Sequence, residues 1–158
     1  MAIPSVGKSD PPRSDQATLR FLAGWREIQE GAIRRGGKLL IQYDPEKLPH
    51  CRVNFRGAEF WDIEVNVRFH PGEQMHCASV FDRIREPPGR GMVIALVPTL
   101  VEVAVPPDAT RVELWFRNFC QTTSSCEAWD SRYGQNYSYD VVGDGHVSGG
   151  SKSSAGNA

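Results

Sequence analysis

The run Trp129-Asp130-Ser131-Arg132-Tyr133-Gly134-Gln135-Asn136-Tyr137 gathers an indole, a carboxylate, two amides and two phenols into nine residues. Flat apolar rings beside hydrogen-bonding edges suit sugars, whose C–H faces stack on aromatics while their hydroxyls need donors and acceptors. Trp129, Asp130, Ser131, Asn136 and Tyr137 are therefore candidate ligand-binding residues, with Trp115 extending the platform. The same run also reads as an ordinary hairpin. Gly134 would supply a positive φ, Asp130 or Asn136 would tie the turn, and Trp129 would plug the core.

A second constellation points to acid–base chemistry. His70 and His76 flank the turn Pro71-Gly72-Glu73, and a hairpin there would place both imidazoles near one end and on one side. With Asp62 and Glu64 on the polar face of the preceding strand they would form a general acid–base group, because His titrates near neutrality. Cys77 beside His76 would then be an activated thiol. The catalytic set of such a small cofactor-independent lyase, cyclase or hydrolase is His70, His76, Asp62 and Asp130, with Tyr137 as an acid. The plainer reading is that polar residues alternate outward because a sandwich strand needs a wet face.

The pairs His50-Cys51 and His76-Cys77 resemble metal ligands, but neighbouring side chains of a strand point to opposite faces, so each pair offers one ligand. Cys-x-x-Cys and His-x-x-x-His spacings are missing from the sequence, as are nucleophile-elbow, phosphate-loop and dinucleotide patterns. No metal and no cofactor are expected.

These residues have to be positioned by short strands. Trp61, Ile63, Val65, Val67 and Phe69 alternate with Asp62, Glu64, Asn66, Arg68 and His70, the mark of a strand with one dry face. Lys38–Tyr43, Met92–Val97, Leu100–Val105, Arg111–Phe119 and Asn136–Val142 read as further strands. Turns at Pro71-Gly72, Pro87-Pro88-Gly89 and Pro106-Pro107-Asp108 separate them. The pattern predicts an all-β fold, an antiparallel sandwich or barrel. Residues 18–34 have two readings. Leu22, Trp25, Ile28 and Ala32 fall at helical spacing and suggest a short amphipathic helix; Gly24 and Gly31 favour instead a strand at Thr18–Leu22 followed by a loop.

The chain has 158 residues with a formal charge of −1, enough for one domain with its own core. Near-neutral charge gives no general attraction to nucleic acid or anionic lipid, and no apolar run approaches membrane-spanning length. Residues 1–16 and 143–158 are rich in Pro, Gly and Ser and are expected to be disordered tails around a domain over 17–142. Residues 1–8 show no apolar leader, so a cytoplasmic location is expected, and the four cysteines are expected to be reduced and mostly buried. In an oxidising compartment the short loop between Cys120 and Cys126 would allow those two to pair, though three pairings are open for four cysteines.

Two resemblances add to this reading. Trp129-Asp130-Ser131…Gly134…Asn136-Tyr137, preceded by Val112-Glu113-Leu114-Trp115-Phe116, resembles the C-terminal end of the starch- and glycogen-binding modules of carbohydrate-binding family 21. The resemblance implies an immunoglobulin-like β-sandwich in which Trp129 is the stacking platform and Asn136 the hydrogen-bonding amide; Ser131 and Arg132 stand where those modules carry Asn. Gly36 through Pro45, Leu48 through Arg52, and Leu114 through Ser131 resemble an uncharacterised bacterial family, the domain of unknown function 6209, over most of residues 18–142. That resemblance carries no activity. The expected function is glycan recognition by a binding module, with the small enzyme as the alternative. The expected partner is a glycan or other small molecule, neither nucleic acid nor membrane. A protein-interaction sandwich using an exposed sheet edge is a third possibility, and a homodimer would fit it.

Overall fold

The computed structural model describes residues 14–122 and 125–143; the tail readings otherwise lie outside the described residues. In chain order the strands are β1 (Gln16–Leu22), β2 (Arg26–Glu30), β3 (Lys38–Tyr43), β4 (Asn54–Phe55), β5 (Ala58–Glu59), β6 (Trp61–His70), β7 (Gln74–Ser79), β8 (Phe81–Glu86), β9 (Met92–Pro98), β10 (Val101–Ala104), β11 (Arg111–Cys120), β12 (Glu127–Asp130) and β13 (Tyr137–Asp140). One sheet runs in the order β10-β3-β1-β2. The other runs β12-β11-β6-β7, with β13 pairing alongside β11 as well. The ribbons β4–β5 and β8–β9 stand beside these two sheets.

Alternation builds the core. Ile63, Val65, Val67 and Phe69 on β6, and Val112, Leu114 and Phe116 on β11, are almost wholly buried, while the residues between them face outward. Leu19, Phe21, Leu39, Ile41 and Tyr43 of the first sheet meet them across the sandwich. Phe21 packs edge-on against Phe116 at 5.0 Å, and Tyr43 stacks on Phe116 at 4.0 Å. The fold is an all-β sandwich whose described strands pair antiparallel except for β1 with β3, and Arg34 and Val142 form a further parallel bridge.

Residues 18–34 form no helix. Their first part folds as the hairpin β1–β2, so the strand reading is right for β1 while the expected loop contains a second strand, β2. Ala23, Gly24 and Trp25 make the three-residue turn between Leu22 and Arg26, with Gly24 (φ +80) and Trp25 (φ +62) in left-handed backbone. The helical stripe is not a buried face, because Trp25 and Ile28 are exposed, whereas Leu19 and Phe21, at strand spacing, are buried.

The cysteines also depart from expectation. Cys51 and Cys126 form a disulfide across a sequence separation of 75, with Cα atoms 5.5 Å apart. Cys77 is exposed and Cys120 half-buried, so reduced, buried thiols do not describe the set. No helix among the described residues is long and apolar enough to cross a membrane.

Candidate functional site

Trp129 and Asp130 are the last residues of β12 rather than part of the loop, and the alternation of that strand sends them to opposite faces. Asp130 pairs with the inward-facing Phe116 and is buried. The Tyr43 and Tyr137 hydroxyls each donate to its carboxylate at 2.7 Å, and Lys47 Nζ lies 3.4 Å away with its side chain only 7% exposed. Lys47 is delivered by a 3-10 turn over Pro45–Lys47, capped by the Asp44 side chain accepting from the Glu46 N–H at 2.9 Å. A carboxylate, two phenols and an ammonium from four separate segments thus satisfy one another at the floor of a cleft with little exposure to water.

Burial and the Asp130 carboxylate push both phenols well above the ordinary tyrosine value; Tyr139, half-buried and donating to Glu27, moves the same way. A raised folded-state value contributes stability below about pH 10, where a free phenol titrates, and loses it as pH rises through the folded value. The phenolate absorbance of Tyr43, Tyr137 and Tyr139 is therefore expected to appear together with alkaline unfolding, at higher pH than in the urea-unfolded chain. Full phenolate absorbance from a still-folded chain would contradict this.

Above this network opens a cleft of about 370 Å3, lined by Ala23, Gly24, Trp25, Glu46, Lys47, Leu48, His50, Trp129 and Asp130. Trp25 stacks on Tyr133 with centroids 5.2 Å apart and planes 18° from parallel, and Lys47 Nζ lies 4.9 Å from the Trp25 ring. Trp25 is 61% exposed, Tyr133 83% and Trp129 51%. None of these rings fills the core. Trp25 and Tyr133 also hold left-handed backbone, at φ +62 and +59, which Gly or Asn would adopt at less steric cost. Backbone strain of this kind concentrates at functional positions.

The remaining candidates divide between faces. Trp129 lies opposite Arg117 on the outer face of the second sheet, its ring centroid 5.8 Å from the guanidinium, so it does not plug the core. Trp115 shares that face beneath Arg68. Ser131 accepts from the Gly134 N–H at 3.2 Å and shapes the loop. Asn136 donates to Glu113 at 2.6 Å, so its amide is already engaged, and Tyr137 belongs to the buried network.

The acid–base set is not brought together. His70 contacts Glu113 at 2.7 Å and Glu73 at 3.0 Å on the outer face. His76 pairs with the inward-facing Val67 and lies 5.9 Å from Phe69, on the other face. Asp62 is buried near the opposite end of β6, bonded to Ser79 and paired with Arg83, and Glu64 pairs with Arg117 at 3.4 Å. Desolvation, then the Glu64 carboxylate, push the Cys77 thiol up to about 11, the opposite of activation.

Burial alone would raise the Glu113 carboxyl, but the Asn136 and His70 hydrogen bonds and the Arg68 charge outweigh it and hold it below its ordinary value. A lowered folded value gives stability above the ordinary carboxylate range, lost as pH falls through the folded value. Glu113→Gln is expected to be less stable than the parent at neutral pH and to lose less on acidification below about pH 4. Urea unfolding at several pH values measures both; parallel curves for the two proteins would refute the assignment.

The profile of a family of unknown function, DUF6209, matches residues 12–142. The chain belongs to that family. No curated protein matches it, and no solved structure does. In this DUF6209 chain Trp25, Tyr43, Lys47 and Tyr133 are the site residues that sequence reasoning did not select. Trp25 carried a misleading signal, since its helical spacing argued for a buried stripe. Lys47 carried none, because an isolated Lys near a Pro turn reads as surface.

Proposed function

We propose that this chain is a carbohydrate-binding module that seats a neutral glycan in the cleft between the β1–β2 turn and the end of β12. The observation that carries this reading is the cluster of exposed rings there, Trp25 stacked with Tyr133 and Trp129 at the strand end. Rings presented to solvent stack on the C–H faces of pyranoses, and Glu46 and His50 beside them offer polar edges for hydroxyls. Lys47 is balanced by Asp130, and Glu46 lies 3.4 Å from Arg52, so the cleft holds compensated charge and favours an uncharged ligand. The likeness of the 129–137 run to starch- and glycogen-binding modules supports the same class, with the contact surface moved from Asn136 towards Trp25 and Tyr133.

The acid–base alternative draws less support, since His70 and His76 lie on different faces, Asp62 at the far end of β6 and Asp130 in the Tyr43–Tyr137 network. The Cys51–Cys126 disulfide favours an oxidising compartment over the cytoplasm. Calorimetric titration with maltooligosaccharides and glycogen, run beside tryptophan fluorescence, tests the function. Heat of binding with quenching is expected. No heat at millimolar sugar, with emission unchanged, removes the proposal.

A further inference from the structure

Cys120 ends β11 and Cys126 precedes β12. The ladder that pairs Phe119 with Glu127 brings these cysteines opposite each other at its next step, and the Cys120 N–H donates to the Cys126 carbonyl at 3.3 Å. Opposed residues of an antiparallel ladder point to the same side, with Cα atoms roughly 4.5–5.5 Å apart, inside the roughly 4.4–6.8 Å span a disulfide bridges. Cys126 is already joined to Cys51, whereas Cys120 keeps its thiol. Both line a second cleft, of about 280 Å3, together with Thr122 and Ser125. The cross-strand neighbour of the disulfide is thus a cysteine that opens on the same space.

We propose that Cys120 and the Cys51–Cys126 bridge form a thiol–disulfide exchange site. The Cys120 thiolate attacks Cys126 Sγ, the Cys120–Cys126 bond forms and the Cys51–Cys126 bond breaks. Cys51 leaves as a thiolate and takes up the proton that Cys120 released. One disulfide and one thiol stand on each side, so no external oxidant or reductant is consumed. The Thr122 hydroxyl, 3.6 Å from Cys120 Sγ, holds the attacking thiol below its ordinary value and raises its thiolate fraction.

The exchange relocates a covalent tie. Cys51 follows Glu46, Lys47, Leu48 and His50, which line the ligand cleft, and the Cys51–Cys126 bond fastens that wall to the start of β12. The new bond would close only the short 120–126 loop. The wall would then be held by the His50 N–H donating to Asn118 at 3.1 Å, by Lys47 on Asp130, and by Arg52, whose guanidinium lies 4.9 Å from the Trp61 ring. An effect on glycan affinity rests on the function proposed above; the exchange itself does not.

The test uses the full chain with Cys77→Ser, so that Cys77 cannot mediate exchange between molecules. The oxidised protein is incubated without denaturant at about pH 8.5, where a free thiol is half ionised, then acid-quenched, alkylated and mapped by peptide mass. The expected result is a Cys120–Cys126-linked peptide with Cys51 alkylated, growing with incubation time. With Cys120→Ser added, Cys51 stays bridged to Cys126. A map that keeps Cys51–Cys126 alone at every time, with only Cys120 alkylated, overturns the proposal. Glycan titration on the same samples is read separately. Exchange without sugar binding would sink only the function, and binding without exchange only the present inference.

Discussion

Asp130→Ala is expected to lower the unfolding free energy by about 3–5 kcal/mol, the usual cost of leaving a buried charge without its partner. Lys47 would keep an ammonium in a site where its side chain is 7% exposed, with Asp130 its ion-pair partner there. The Tyr43 and Tyr137 hydroxyls would lose their acceptor in the same step. Asp130→Asn keeps shape and one carbonyl acceptor, so its loss is expected to be smaller. Adding Lys47→Met to Asp130→Asn should recover part of the remainder, because replacing both members of a buried pair costs less than removing one. Guanidinium unfolding measures all three. An Asp130→Ala protein within about 1 kcal/mol of the parent would show that the network is not dry.

Trp25→Gly is expected to cut glycan affinity at least tenfold, which corresponds to about 1.4 kcal/mol, without lowering the thermal midpoint. The two effects separate because Trp25 stands at φ +62 and is 61% exposed. Glycine takes that backbone conformation without the Cβ clash, roughly 1–2 kcal/mol for a left-handed L-residue, which offsets the lost stacking on Tyr133. A tryptophan kept for packing would behave the other way, with stability falling and binding indifferent. Tyr133→Ala and Trp129→Ala should follow Trp25→Gly in titration calorimetry. Trp115→Ala, away from the cleft on the outer face, should leave affinity nearly unchanged. Retained affinity in the first three variants would move the ligand elsewhere.

The strands were legible where one face is dry and the other wet. Val65 and Val67 against Glu64 and Asn66 announce β6, and Val112, Leu114 and Phe116 announce β11, because burial at period two leaves a mark in composition. The β1–β2 hairpin was obscured by the exposed ring on its turn. Trp25 on a turn supplies an apolar residue at helical spacing without belonging to any buried face. Asp130 read as loop polarity because its partners, Tyr43 and Lys47, lie more than eighty residues upstream, and nothing local tells a buried carboxylate from a wet one. The Cys51–Cys126 link was hidden for the same reason, since spacing carries no information about a pair 75 residues apart.

The ten-rung ladder between β6 and β11 joins residues 61–70 to residues 111–120. A ribosome adding roughly 5–20 residues per second takes several seconds to reach β11 after finishing β6. Throughout that interval β6 is paired with β7 on one edge, and the edge that will take β11 is open. The nascent chain therefore carries an open strand edge until β11 emerges, and its yield in a cell should depend on holdase chaperones more than on the thermodynamic strength of the finished domain.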